Sequence, residues 1–80
     1  MKITADHGEI RRWVEAHGGC PAVLPAKNGR DRLAVAFDPA ECDPLTWEEF
    51  FMRFEREGLA FVYEPEGNGR AARAAKLVSR

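Results

Sequence analysis

Apolar positions along residues 45–59 follow the helical period. Trp47, Phe50, Phe51 and Phe54 fall at i, i+3, i+4 and i+7, with charged residues between them. Thr46 and Glu49 have the spacing at which a hydroxyl accepts from the third helical amide while the carboxylate reaches back to the cap amide, so a helix is predicted from Trp47. Leu45 before the cap and Phe50 after it form a hydrophobic staple, and Gly58 supplies the left-handed residue that ends the helix. Leu59 is placed to touch Phe54 across that end. The aromatic stripe reads as core, with Trp47, in the first turn, its most exposed member.

The stretch "DHGEIRRWVEAHGG" repeats the arrangement, with Asp6 as cap, Glu9 three residues on, Ile10, Trp13 and Val14 as the stripe and Gly18 as the stop. Gly8 in its first turn weakens this helix by about 1 kcal/mol relative to Ala. Strand character follows each helix. Ala22–Leu24 and Arg32–Phe37 make the first pair, with Leu33, Val35 and Phe37 on one face at period two. The second pair is Leu59–Glu64, where Leu59, Phe61 and Tyr63 share a face, and Ala74–Ser79, whose alanines suit a helix while "KLVS" suits a strand.

A shift of forty residues lays one half on the other. Glu9 falls on Glu49, Glu15 on Glu55, Gly18 on Gly58, Pro25 on Pro65, Ala34 on Ala74, and the "NGR" at 28–30 on that at 68–70. Asn-Gly readily takes the positive φ angles of a tight hairpin turn. The expected fold is α+β: one small domain spanning 1–80, ordered α-β-β-α-β-β, with two helices on an antiparallel sheet of about four strands. Its halves, about 1–40 and 41–80, are consistent with an internal duplication.

Eighty residues provide one core, and a chain this short buries only about 60 to 65% of its unfolded surface. The composition, 45% hydrophobic and 31% charged, is that of an ordinary globular protein, and no run approaches the ~18 apolar residues of a membrane span. A net charge of -1 argues against binding nucleic acid through bulk positive charge. The charge is uneven: acids dominate between Asp38 and Glu66, whereas Arg70, Arg73, Lys76 and Arg80 follow with no acid among them. Cys20 and Cys42 form no CxxC and follow no apolar leader, so free thiols in a cytoplasmic protein are expected.

Catalytic chemistry has few candidates. His7, His17, Cys20 and Cys42 match no zinc-finger or ribbon spacing, Thr46 is taken by its cap, and Glu48 and Glu49 suit the helix dipole. We expect no enzyme activity, no metal and no cofactor. The candidate partner-binding residues are Trp47 and Tyr63, together with exposed strand edges. Arg30, Arg32, Arg70, Arg73 and Lys76 are candidate phosphate or nucleic-acid contacts if the hairpins converge into a basic edge.

Over most of its length, through "ITADHGEIRRWVEAHGGCPAV", "LTWEEFFMRFEREGLAFVYE" and "KLVSR", the chain resembles a group of small bacterial proteins, some labelled 1,4-alpha-glucan branching enzyme. The resemblance implies a single free-standing domain and supplies no catalytic residues. Branching enzymes are similar to large barrel hydrolases, and eighty residues cannot build that barrel. The expected function is a non-catalytic cytoplasmic protein-interaction module. The alternatives are a nucleic-acid-binding module and a small enzyme or glucan-related accessory protein.

Overall fold

The computed structural model describes residues 1–25, 29, 31–38, 40, 42, 45–66 and 75–80. Among them the elements run β1 (Lys2–Thr4), α1 (His7–Ala16), β2 (Cys20–Leu24), β3 (Arg32–Ala36), α2 (Trp47–Arg56), β4 (Leu59–Tyr63) and β5 (Lys76–Ser79). The architecture is α+β, with every strand pair antiparallel. The strands form two sheets, β1-β4-β5 and β2-β3, where the sequence pointed to one. β1 is the addition: Lys2, Ile3 and Thr4 pair with Tyr63, Val62 and Phe61. Three residues carry too little periodicity to announce a strand; the distant partner β4 makes them one.

Both helix starts follow their local code. Thr46 Oγ1 accepts from the Glu49 amide at 3.1 Å, and Glu49 Oε1 accepts from the Thr46 amide at 3.3 Å, closing the capping box. Asp6 caps α1 through its carboxylate, 2.9 Å from the Glu9 amide. Gly18 and Gly58 follow the two helix ends at φ 73° and 62°, a region that side chains with a Cβ rarely adopt. Gly19 is needed for a different reason, since a Cβ there would stand 2.7 Å from Val14 Cγ1 and 2.9 Å from Phe37 Cε1.

The core lies between the helices and the inner faces of both sheets. Ile10, Val14, Phe50, Phe54 and Phe61 are fully buried, joined by Trp13, Leu33 and Tyr63. Each such side chain contributes roughly 1.5 to 3 kcal/mol in a chain with little surface to bury. Phe51 and Trp47 pack against this core partly exposed. The start of α1 is fastened to α2 by the His7 ring, stacked 4.2 Å from Phe51 with Nε2 donating to Glu55 at 2.9 Å. Arg80 reaches the same carboxylate at 2.5 Å. His7 first and Arg80 second hold the Glu55 carboxyl below its ordinary range.

The free-thiol expectation is corrected. Cys20 and Cys42 form a disulfide with a Cα–Cα distance of 5.9 Å. Strand register explains the meeting: Cys20 pairs with Ala36 at the end of β3, so the chain need only turn back after β3 for Cys42 to reach it. Ala22 and Ala36 lie on the same face of the hairpin as Cys20 and are buried. No helix among the described residues is long and apolar enough to cross a membrane.

Candidate functional site

Splitting the strands into two sheets leaves two edges facing each other. Among the described residues β3 pairs only with β2 and β5 only with β4, yet a single cavity of about 620 Å³ is lined by residues 32–35 and 75–79 together with Leu24, Glu57 and Leu59. Successive strand residues point to opposite faces, so a cavity touching every residue from 32 to 35 and from 75 to 79 is bounded by backbone edges. Half of the N–H and C=O groups of an edge strand point away from its one partner, into this gap.

The two sides of the cleft differ chemically. Leu33, Val35, Ala75 and Leu77 belong to the core or pack against it, so the inward side is apolar. Arg32 and Lys76, each one position along its strand, therefore lie on the opposite faces, and both are exposed. Glu57, the acid of the lining, is engaged by Arg53 Nε at 3.2 Å. Arg53 also donates to the Asp31 carbonyl at 3.2 Å, tying the approach to β3 onto α2. The cleft thus has an apolar floor and a basic outer rim.

Of the five basic candidates read from the sequence, Arg32 and Lys76 line this cleft together, while Arg30, Arg70 and Arg73 lie outside the described residues, as do Asn28 and the second "NGR". Gly29 of the first "NGR" has φ 77°, the value an Asn-Gly turn uses. Trp47 is partly exposed, but its ring is engaged by Phe50 at 5.1 Å and Phe51 at 5.5 Å.

Tyr63 is 6% exposed, so its ring offers no surface to a partner. Its hydroxyl donates to Glu9, which also takes Lys2 Nζ at 2.9 Å and the Thr4 hydroxyl at 3.3 Å. The Tyr63 bond and then the Lys2 bond hold the Glu9 carboxyl below its ordinary range. Burial, then the Glu9 bond, pushes the Tyr63 phenol up. Glu9 therefore stays ionised and Tyr63 stays protonated across neutral pH, which suits a structural clamp and not proton exchange.

His17 Nδ1 donates to the Trp13 carbonyl at 2.7 Å, and Cys20 is in the disulfide. Sequence reasoning missed the meeting of the two edges, because alternation marks which face of a strand is buried and carries no signal for which edge stays unpaired. No family model, curated protein or solved structure matches this chain.

Proposed function

We propose that the protein is a non-catalytic interaction module that docks a partner protein at the surface cleft lined by β3 and β5. One observation carries this reading: two strand edges, each unpaired on one side among the described residues, bound a single cavity of about 620 Å³. An apolar floor with a charged rim is the arrangement of a protein-interaction surface. The sequence pointed to the cytoplasm on the expectation of free thiols, and the Cys20–Cys42 disulfide removes that support. Disulfides are rare there, so fractionation of the native host tests the location separately.

Selection of a displayed random-peptide library on the protein, with the binders mapped by backbone amide shifts, tests the reading. Peptides that shift residues 32–35 and 75–79 support it. Peptides that shift only the surface around Trp47, or a selection that enriches nothing, contradict it. The basic rim also favours single-stranded nucleic acid as an alternative. Such binding would weaken steeply with salt, but the lining described has no aromatic face on which a base could stack.

A further inference from the structure

Independently of the cleft, we infer that the outward face of α2 binds a second copy of the chain, the two helices lying antiparallel about a two-fold axis beside Met52. Trp47, Phe50, Phe51 and Phe54 turn one side of α2 to the core, so Glu49, Met52 and Arg56 project on the opposite side. All three are exposed, Met52 to 68%. Around Met52 a groove of about 440 Å³ is lined by Leu45, Glu49, Met52, Arg53 and Arg56. Four of these fall at i, i+3, i+4 and i+7, the diamond of side chains that receives a knob from a facing helix.

Charge decides which helix fits. Glu48 and Glu49 stand in the first turn of α2, and Arg53 and Arg56 in the last. Arg53 is engaged by Glu57 and the Asp31 carbonyl, whereas no described residue pairs with Arg56. The cap engages Oε1 of Glu49, so Oε2 is available to a second partner. Two copies laid parallel would set glutamate on glutamate and arginine on arginine. Antiparallel, with one Met52 against the other, Glu49 of each copy meets Arg56 of the other copy. These residues lie three and four positions from Met52, about 4.5 and 6 Å along the axis, so each pair is offset by only about 1.5 Å. The same arrangement drops each Met52 into the opposite groove, whose centre lies between positions 52 and 53, and the unbranched thioether adapts to it. Such a face is complementary to itself under two-fold symmetry, which marks a second copy of the chain as the occupant. The ten residues of α2 span only about 15 Å, so the contact is smaller than the ~1,200 Å² of stable complexes and the association is transient, with a dissociation constant of roughly 0.1–1 mM.

The experiment is a concentration series of the full chain, from about 0.05 to 2 mM, read by backbone amide shifts and translational diffusion. The outward residues of α2 should shift as concentration rises, and diffusion should slow. Met52→Ala and Arg56→Glu, both at exposed positions, should keep the native circular dichroism and each weaken association about tenfold. A mixture tests the orientation. Copies carrying Glu49→Lys or Arg56→Glu each repel their own kind, yet antiparallel they set opposite charges together at both contacts, so an equal mixture should associate where neither variant does alone. Glu49→Lys gives up half of the capping box, so its circular dichroism is checked first; if it does not fold, the series with Met52→Ala and Arg56→Glu still decides. Four outcomes would overturn the inference: a chain that stays monomeric at the top concentration, shifts confined to other surfaces, association unchanged in Met52→Ala or Arg56→Glu, or a mixture of folded variants that does not associate. The first of these would leave the groove to a helix of another protein.

Discussion

Tyr63 donates its hydroxyl to Glu9, 54 residues away along the chain. Glu9 holds the position in α1 that Glu49 holds in α2, yet only Glu49 turns back to close its capping box. Glu9 instead ties α1 to β4, and with Lys2 and Thr4 it ties in β1 as well. The same residue at matching points of the two halves does different work because β1 brings Lys2 and Thr4 beside Glu9.

Replacing Tyr63 with Phe removes that bond and keeps the buried ring. We expect a loss of about 1.5–3 kcal/mol, the usual range for a hydrogen bond to a charged group, read as a lower urea midpoint at unchanged slope. Peptide binding in the cleft should be unaffected.

Stability should fall in acid through Glu9 and Glu55. Both carboxyls titrate below their ordinary value of 4.5 in the folded chain. Each therefore contributes stability that is present above that value and is lost as pH falls through the lowered one. At the alkaline end the signs reverse: Tyr63 and Lys2 are raised above 10.0 and 10.5, so their contribution is complete below those values and is lost as pH climbs past them. Thermal melts from pH 6 down to about pH 2 should show a steeper decline for the parent chain than for the Glu9→Gln, Glu55→Gln variant. Parallel declines would contradict this assignment.

The caps, stripes and stops of both helices were legible in the sequence because each depends on neighbours within a few residues. Phe50 and Phe54 are fully buried and Trp47 partly exposed, as their places in the stripe indicated. What could not be read depends on distant partners: the three-residue strand β1, the division into two sheets, and the meeting of Cys20 with Cys42. Tyr63 illustrates the limit. Its alternation with Ala60 and Val62 marked a strand face, but only the packing of α1 over β4 turns a candidate contact residue into a buried clamp. Arg32 and Lys76 were flagged for their charge, and the fold supplied the cleft between them.

The disulfide should matter for stability out of proportion to its exposure. It joins residues 22 apart, a closure worth about 3 kcal/mol on the chain-entropy account. Cys20→Ser with Cys42→Ser, or reduction, should lower the denaturation midpoint by a corresponding amount. Alkylation of the unfolded, unreduced chain should add no mass, and two added groups would show that the bond is absent.

Gly19→Ala probes the close approach of α1 to the end of β3. The added methyl would meet Val14 and Phe37 at distances that require both to shift, so a loss of about 1–3 kcal/mol is expected. A stabilised variant would show that this corner is looser than described.

The central claim is that β3 and β5 face each other unpaired, and backbone amide hydrogen exchange of the free protein tests it without any ligand. Amides of β3 and β5 that point away from β2 and β4 should exchange far faster than those of β4, which is paired on both sides. Protection of those edge amides equal to that of β4, with nuclear Overhauser contacts between β3 and β5 backbones, would mean that the two edges pair directly and that there is no cleft for a partner to fill.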